Sequence, residues 1–244
     1  MSHALRTALV AALAVGAPLA FPPPSVAAAA ATAYYVSPSG SDADSGTSAG
    51  SPFATIQKAV DLAPTGAVVN LAAGTYQQDV VTKRAGVTIT GPSNAVVKGA
   101  GDARIIQVQH DSTTLSGFTV DGLYGSSTDV SGYRLKLIYV MSTTPGNGVG
   151  ALHITGMTLK NAADECLRVR YLVTGADISE NTITNCGVAD FRFGGGGKNG
   201  EGIYLGTAPS SRARTALRTR LPTSAGTTAS TTTRSPPRAT SAST

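Results

Sequence analysis

His153-Ile154-Thr155-Gly156-Met157-Thr158-Leu159-Lys160-Asn161 and Asp177-Ile178-Ser179-Glu180-Asn181-Thr182-Ile183-Thr184-Asn185 are two copies of one unit. Ile154 aligns with Ile178, Leu159 with Ile183 and Asn161 with Asn185, each at an offset of 24 residues. A weaker third copy, Leu115-Ser116-Gly117-Phe118-Thr119-Val120-Asp121-Gly122, carries Gly where the others have Asn. A fixed period of this length marks a chain that stacks one supersecondary unit on the next. The unit is too short for a βαβ element and too rich in Gly, Thr and Asn for a helical repeat. The expected fold is all-β: a right-handed parallel β-helix, or β-solenoid, with about 24 residues per coil over residues 87–207.

Asn161 and Asn185 close their units at turns. Asn tolerates the left-handed conformation, and its side chain can bond the Asn of the next coil, so an Asn ladder is expected. Open strand edges and an apolar interior also need a cover at the end of the stack. Ser51-Pro52-Phe53 has an N-cap residue followed by proline, and Phe53, Ile56, Val60 and Ala63 share one helical face. The reading is one capping helix over Ser51–Ala63, a strand at Tyr34–Val36, another at Val68–Leu71, a turn at Gly74–Tyr76, and no helix after Val87.

The two ends differ from the middle. Arg6, the apolar run Thr7–Ala20, Pro22-Pro23-Pro24 and the small-x-small triplet Ala31-Thr32-Ala33 read as a signal peptide over residues 1–33. No later run reaches the ~18 apolar residues of a membrane span. Residues 210–244 hold six Arg and no acid, with Thr, Ser, Ala and Pro making up most of the rest. This tail lacks the apolar side chains for a core and reads as disordered, either a frameshifted or truncated continuation or a Ser/Thr/Pro stalk. Residues 34–86 are read as the cap and 87–209 as the coils.

The net charge of +5 is a property of those ends. Setting aside Arg6 and the six tail arginines leaves twelve basic side chains against fourteen acids, a net of −2. A nucleic-acid partner loses its electrostatic support. Only Cys166 and Cys186 occur. A pair in a secreted chain invites a disulfide. Yet Cys166 lies five residues after Asn161 and Cys186 directly after Asn185, which argues against simple stacking and favours two free cysteines. The mature chain keeps only His110 and His153, a poor supply for a His-based triad or zinc site.

Tyr35-Val36-Ser37-Pro38-Ser39-Gly40-Ser41-Asp42, Gly50-Ser51-Pro52-Phe53-Ala54-Thr55-Ile56-Gln57-Lys58-Ala59-Val60 and Val69-Asn70-Leu71-Ala72-Ala73-Gly74-Thr75-Tyr76 resemble the capping region of secreted bacterial right-handed parallel β-helix proteins. That pectin-lyase-like group includes the pectate lyases of polysaccharide lyase family 9 and uncharacterised relatives. The resemblance covers about residues 34–207. It implies the fold and, for lyase members, calcium held by Asp side chains and proton abstraction by a Lys. No Asp-Asp cluster followed by Lys occurs in the matching coils, so catalytic residues are not carried over by motif.

The coils themselves suggest a site. Leu167 and Val169 should face inward and Arg168 and Arg170 outward. Gly200–Leu205 aligns with Asp164–Val169 at an offset of 36, placing Glu165 beneath Glu201 and Arg168 beneath Tyr204. The twelve extra residues fall in 187–199, an insertion suited to a groove wall. Stacked carboxylates need a cation between them. One solution is Ca²⁺ on Asp164, Glu165, Asp190 and Glu201; the other is ion bridges to Arg168, Arg170 or Arg192. Calcium would acidify the C–H beside a uronate carboxylate, with Lys198, Arg168 or Arg170 as the base. Tyr204 and Arg192 are the substrate-binding candidates, and Tyr171 and Phe193 could offer rings to sugars. The expected protein is a secreted monomer acting on acidic polysaccharide, pectate-lyase-like or a truncated form of one. It has no nucleic-acid or membrane partner once the leader is removed. The alternative is a non-catalytic carbohydrate-binding or cell-surface β-helix.

Overall fold

The computed structural model describes residues 31–196 and 200–206. The leader through Ala30, Lys198 and the 210–244 tail lie outside the described residues, together with the expectations placed on them.

Strand β1 (Ala33–Val36) precedes helix α1 (Ile56–Leu62), and five coils of three strands follow among the described residues. The first is β2 (Val68–Leu71), β3 (Gly74–Tyr76) and β4 (Val80–Val81). The second is β5 (Thr88–Thr90), β6 (Ala95–Val97) and β7 (Arg104–Val108). The third is β8 (Thr114–Ser116), β9 (Thr119–Asp121) and β10 (Lys136–Val140). The fourth is β11 (His153–Thr155), β12 (Thr158–Lys160) and β13 (Leu167–Val169). The fifth is β14 (Asp177–Ser179), β15 (Thr182–Thr184) and β16 (Ile203–Leu205), with helix α2 (Val188–Phe191) between its last two strands.

Equivalent strands pair in parallel to give three sheets. Sheet I runs β1-β2-β5-β8-β11-β14, sheet II β3-β6-β9-β12-β15 and sheet III β4-β7-β10-β13-β16. This is a right-handed parallel β-helix, as the repeat requires. The period-2 alternation of each short strand sends one column of side chains inward. Val69, Ile89, Leu115 and Ile154 form such a column in sheet I, all essentially inaccessible to solvent. Val80, Ile106, Ile138 and Leu167 form its counterpart in sheet III.

The 24-residue offset holds from Ile154 to Ile178 and from Leu159 to Ile183. Leu115 pairs with Ile154, so the weak third copy is a true coil. Elsewhere the period changes: the sheet I register advances 20 residues from Val69 to Ile89, 26 to Leu115 and 39 to Ile154. Strands stay short while corners absorb most of the difference, because only the strands share a ladder. β2, β3 and β4 already pair with the second coil, so coiling begins before Val87.

Three local expectations need correction. The helix begins at Ile56, with Thr55 as N-cap accepting from the Lys58 N–H. Ser51 and Pro52 lie outside it because Phe53 is taken up by a bridge to Val36 and its N–H by the Tyr35 carbonyl. Asp42 holds this start by accepting from Ala54 N, Thr55 N and the Thr55 hydroxyl. Ile56, Ala59 and Val60 then bury the helix face over the first coil. Gly74–Tyr76 is a strand in sheet II rather than a turn. Among the described residues after Val87 there are two short helical pieces, α2 and a 3-10 turn at Val130–Gly132, both in corner excursions.

Candidate functional site

The outer face of sheet III departs from a plain coil. In register along it stand Gln107, Tyr139, Arg168 and Tyr204. A second row, toward the N-terminal ends of the strands, includes Arg104 and Lys136. Glu165 and Glu201 continue that row by the same register. Neighbouring strands lie ~4.8 Å apart, so each side chain meets the one on the next coil.

The contacts are those of cations on rings. The Arg104 guanidinium lies 3.8 Å from the centre of the Tyr139 ring, and that of Arg168 lies 4.0 Å from the Tyr204 ring. Arg104 also donates to Gln107 Oε1 at 3.3 Å, and Arg170 donates to the Tyr139 hydroxyl at 3.3 Å. Such stacking holds each guanidinium flat and contributes about 0.5–2 kcal/mol per pair. The Nε–H groups of Arg168 and Arg170 are buried without a hydrogen-bond partner among the described residues.

Glu165 is completely buried. Arg168, three residues on in β13, ion-pairs with one carboxylate oxygen, and Lys136 Nζ lies 3.2 Å from the other. The same ammonium reaches Asp164 Oδ2 at 2.6 Å. Lys136 therefore stands between two carboxylates. Of the two solutions open in the sequence, ion bridging is the one seen at Asp164 and Glu165, with Arg168 as expected and Lys136 in addition. The donor set proposed for Ca²⁺ does not converge. Glu201 holds the register position above Glu165, but it is exposed while Glu165 is sealed. Asp190 sits on α2. Among the described residues no three His, Cys, Asp or Glu side chains gather as a metal site.

Two corner excursions flank this face. Arg192 donates to the Tyr133 hydroxyl at 3.1 Å, and the Phe193 and Tyr133 rings lie 6.1 Å apart. Val188, Ala163 and Tyr133 bury a small apolar cluster at the same place. Arg192 and Phe193 thus fasten the 187–196 segment to the 123–135 loop of an earlier coil. The inserted corner is a tied wall. Tyr171, also a ring candidate, occupies a left-handed turn position after β13.

Cys166 and Cys186 are joined in a disulfide, with Cα atoms 5.5 Å apart, which corrects the expectation of two free thiols. The strand repeat misleads here because the bond crosses a corner diagonally. Cys186 enters the corner of one coil, and Cys166 leaves the same corner of the coil before. The Gly187 N–H to Asp164 carbonyl bond draws the two passes together.

Arg104, Gln107, Lys136 and Tyr139 escaped the sequence reading. Their signal was a recurring five-residue frame, Arg104–Val108, Lys136–Val140, Glu165–Val169 and Glu201–Leu205, spaced irregularly.

A parallel β-helix with a cation-and-ring face on one sheet is the class these observations define. The chain belongs to the family described as a protein of unknown function, DUF1565, whose model matches residues 38–203. No curated protein matches the chain. Among solved structures it is similar to a rhamnogalacturonan lyase at 15% identity and a TM-score of 0.36, covering 72% of this chain and 50% of the other. The chain therefore spans half the length of that enzyme.

Proposed function

We propose that this protein is a secreted, pectate-lyase-like β-helix protein that engages an acidic polysaccharide along the outer face of sheet III. The observation that carries the reading is the row Gln107–Tyr139–Arg168–Tyr204, with Arg168 and Arg104 stacked on the rings. The half-buried Tyr204 ring can meet a sugar, the buried Tyr139 ring serves to position Arg104 and Arg170, and oriented guanidiniums match carboxylates in two-point hydrogen bonding. A polymer lying along the stack would meet a new set of side chains every ~4.8 Å. The disulfide is compatible with export to an oxidising compartment.

A second reading, binding without turnover, also has an observation behind it. Lys136 and Arg168 are committed to Asp164 and Glu165, so neither presents a neutral base toward a sugar C–H. Proton abstraction by a Lys or Arg needs its deprotonated form within hydrogen-bond reach of the C–H.

The test is a panel of acidic and neutral polysaccharides presented to the full chain and to Tyr204→Ala. Affinity is read by titration and elimination by the ultraviolet absorbance of unsaturated products. Binding of uronate polymers that weakens in Tyr204→Ala supports the site. Unsaturated products identify a lyase, and their absence alongside binding identifies the second reading. Binding to no polysaccharide overturns both.

A further inference from the structure

We infer that this face takes up the anionic group of an acidic saccharide directly, with Lys136 occupying the place where a bridging divalent cation would otherwise sit. The inference rests on the polysaccharide reading above and names how its charge is recognised.

The ammonium of Lys136 touches both available carboxylates, at 2.6 Å from Asp164 and 3.2 Å from Glu165. A calcium ion joining the same two groups would need its oxygens at ~2.3–2.6 Å and several more ligands besides. The second cation on Glu165 is Arg168, so both charges of the carboxylate pair are met by side chains. Lys136 is only 18% exposed and Arg168 13%, which limits exchange with solvent ions. Arg104 stands in register beside Lys136, and Arg170 reaches Tyr139 from the other edge. The face therefore carries Arg104, Lys136, Arg168 and Arg170 against Asp164, Glu165 and the more distant, exposed Glu201. A divalent cation entering here is repelled by like charge, whereas an anion is attracted.

The uncommitted donors are guanidinium edges. Arg104 and Arg170 each have one terminal nitrogen engaged by a neutral partner, Gln107 or the Tyr139 hydroxyl. Neither is paired with a carboxylate among the described residues. They are the groups that a uronate carboxylate or a sulfate ester would meet.

The experiment is calorimetric titration of the full chain with an oligogalacturonate, in EDTA and in excess Ca²⁺. A sulfated neutral oligosaccharide serves as a second ligand, to separate carboxylate from general anion recognition. Affinity for at least one anionic ligand should agree within about twofold in the two buffers. It should fall about tenfold in Arg104→Ala and in Arg170→Ala, the loss of roughly one charge-assisted contact. Binding of the oligosaccharide that appears only with Ca²⁺ overturns the inference and leaves the functional reading standing. Absence of binding by any saccharide in either buffer sinks that reading itself. A further arm uses terbium: wild type should show no sensitised luminescence from this face, and Lys136→Met should gain it. Strong terbium binding by wild type, or none by a folded Lys136→Met, contradicts the role given to Lys136. Should that variant not fold, the EDTA comparison on wild type decides.

Discussion

Asn185 donates its side-chain amide to Asn161 Oδ1 across 2.6 Å, joining the same turn in successive coils. Asn161 in turn donates to Asp121 Oδ1 at 2.7 Å. A carboxylate can only accept, so Asp121 fixes the orientation of Asn161 and, through it, that of Asn185. Both Asn residues have positive φ, 63° and 52°, as their place at the end of the repeat suggested. The third coil cannot repeat the residue. A Cβ on Gly122 would come within 2.2 Å of the Asn161 carbonyl oxygen, so the preceding Asp121 supplies the lower rung.

Asn161→Ala should therefore cost about 1–3 kcal/mol, because it severs two links and places Ala in a left-handed turn. Asn161→Gly loses the same links but suits the backbone, and should cost less. Chemical denaturation of the two variants checks the order. Equal losses would show that the ladder, and not the turn conformation, carries the whole effect.

The disulfide closes a loop of sequence separation 20. Cross-linking a loop of that size restricts the unfolded chain and contributes about 3 kcal/mol. Cys186→Ser should lower the melting temperature accordingly, and reductant should lower that of wild type but not of the variant. Cys166 is fully buried, so reduction of the folded protein should be slow compared with that of the unfolded chain. Thermal unfolding with and without dithiothreitol reads both effects.

Tyr76 is sealed inside the first coil, its hydroxyl 3.0 Å from the Val36 carbonyl oxygen and 2.7 Å from that of Ala72. Burial pushes its phenol up to about 12 from 10.0. The folded state therefore holds the proton more tightly than the unfolded one. The resulting stabilisation is fully present below pH 10.0 and is lost as pH rises toward about 12. Tyr76→Phe should remove this alkaline component while costing about 1 kcal/mol at neutral pH. A pH series of denaturation midpoints checks it. A variant with the wild-type slope between those pH values would show that another group titrates.

The coils between Leu115 and Asn185 were legible because the corner from sheet I to sheet II keeps one length in all three, so Leu115 and Val120, Ile154 and Leu159, and Ile178 and Ile183 recur at the same spacing. Sheet III was not, because its frame recurs at 32, 29 and 36 residues from Arg104 to Lys136, Glu165 and Glu201. Only Glu165 and Glu201, with Arg168 and Tyr204, came out of the alignment, and the pairing of Arg168 with Tyr204 is the observed one. Lys136 was invisible without the pairing of Ile138 with Leu167, which sets it beside Glu165. The diagonal corner that joins the cysteines and the capture of Phe53 by Val36 are likewise tertiary facts. Each overrides a sound local pattern.

Glu165 and Glu201 share a register position but differ in surroundings, and their variants should separate accordingly. Glu165→Gln removes the one charge that answers both Arg168 and Lys136 in a buried setting. Breaking a buried ion pair by deleting one partner costs about 3–5 kcal/mol, since the remaining charges stay desolvated. Part of that cost should be relieved here, because Lys136 retains Asp164 at 2.6 Å. The expected loss is therefore toward the lower end, about 3 kcal/mol, and an added Lys136→Met should recover some of it. Glu201 is exposed, and Glu201→Gln should change stability by less than about 0.5 kcal/mol. Denaturation of the three variants settles the contrast. A large loss from Glu201→Gln, or a negligible one from Glu165→Gln, would mean that the charge balance of sheet III is not set by Lys136 and Arg168.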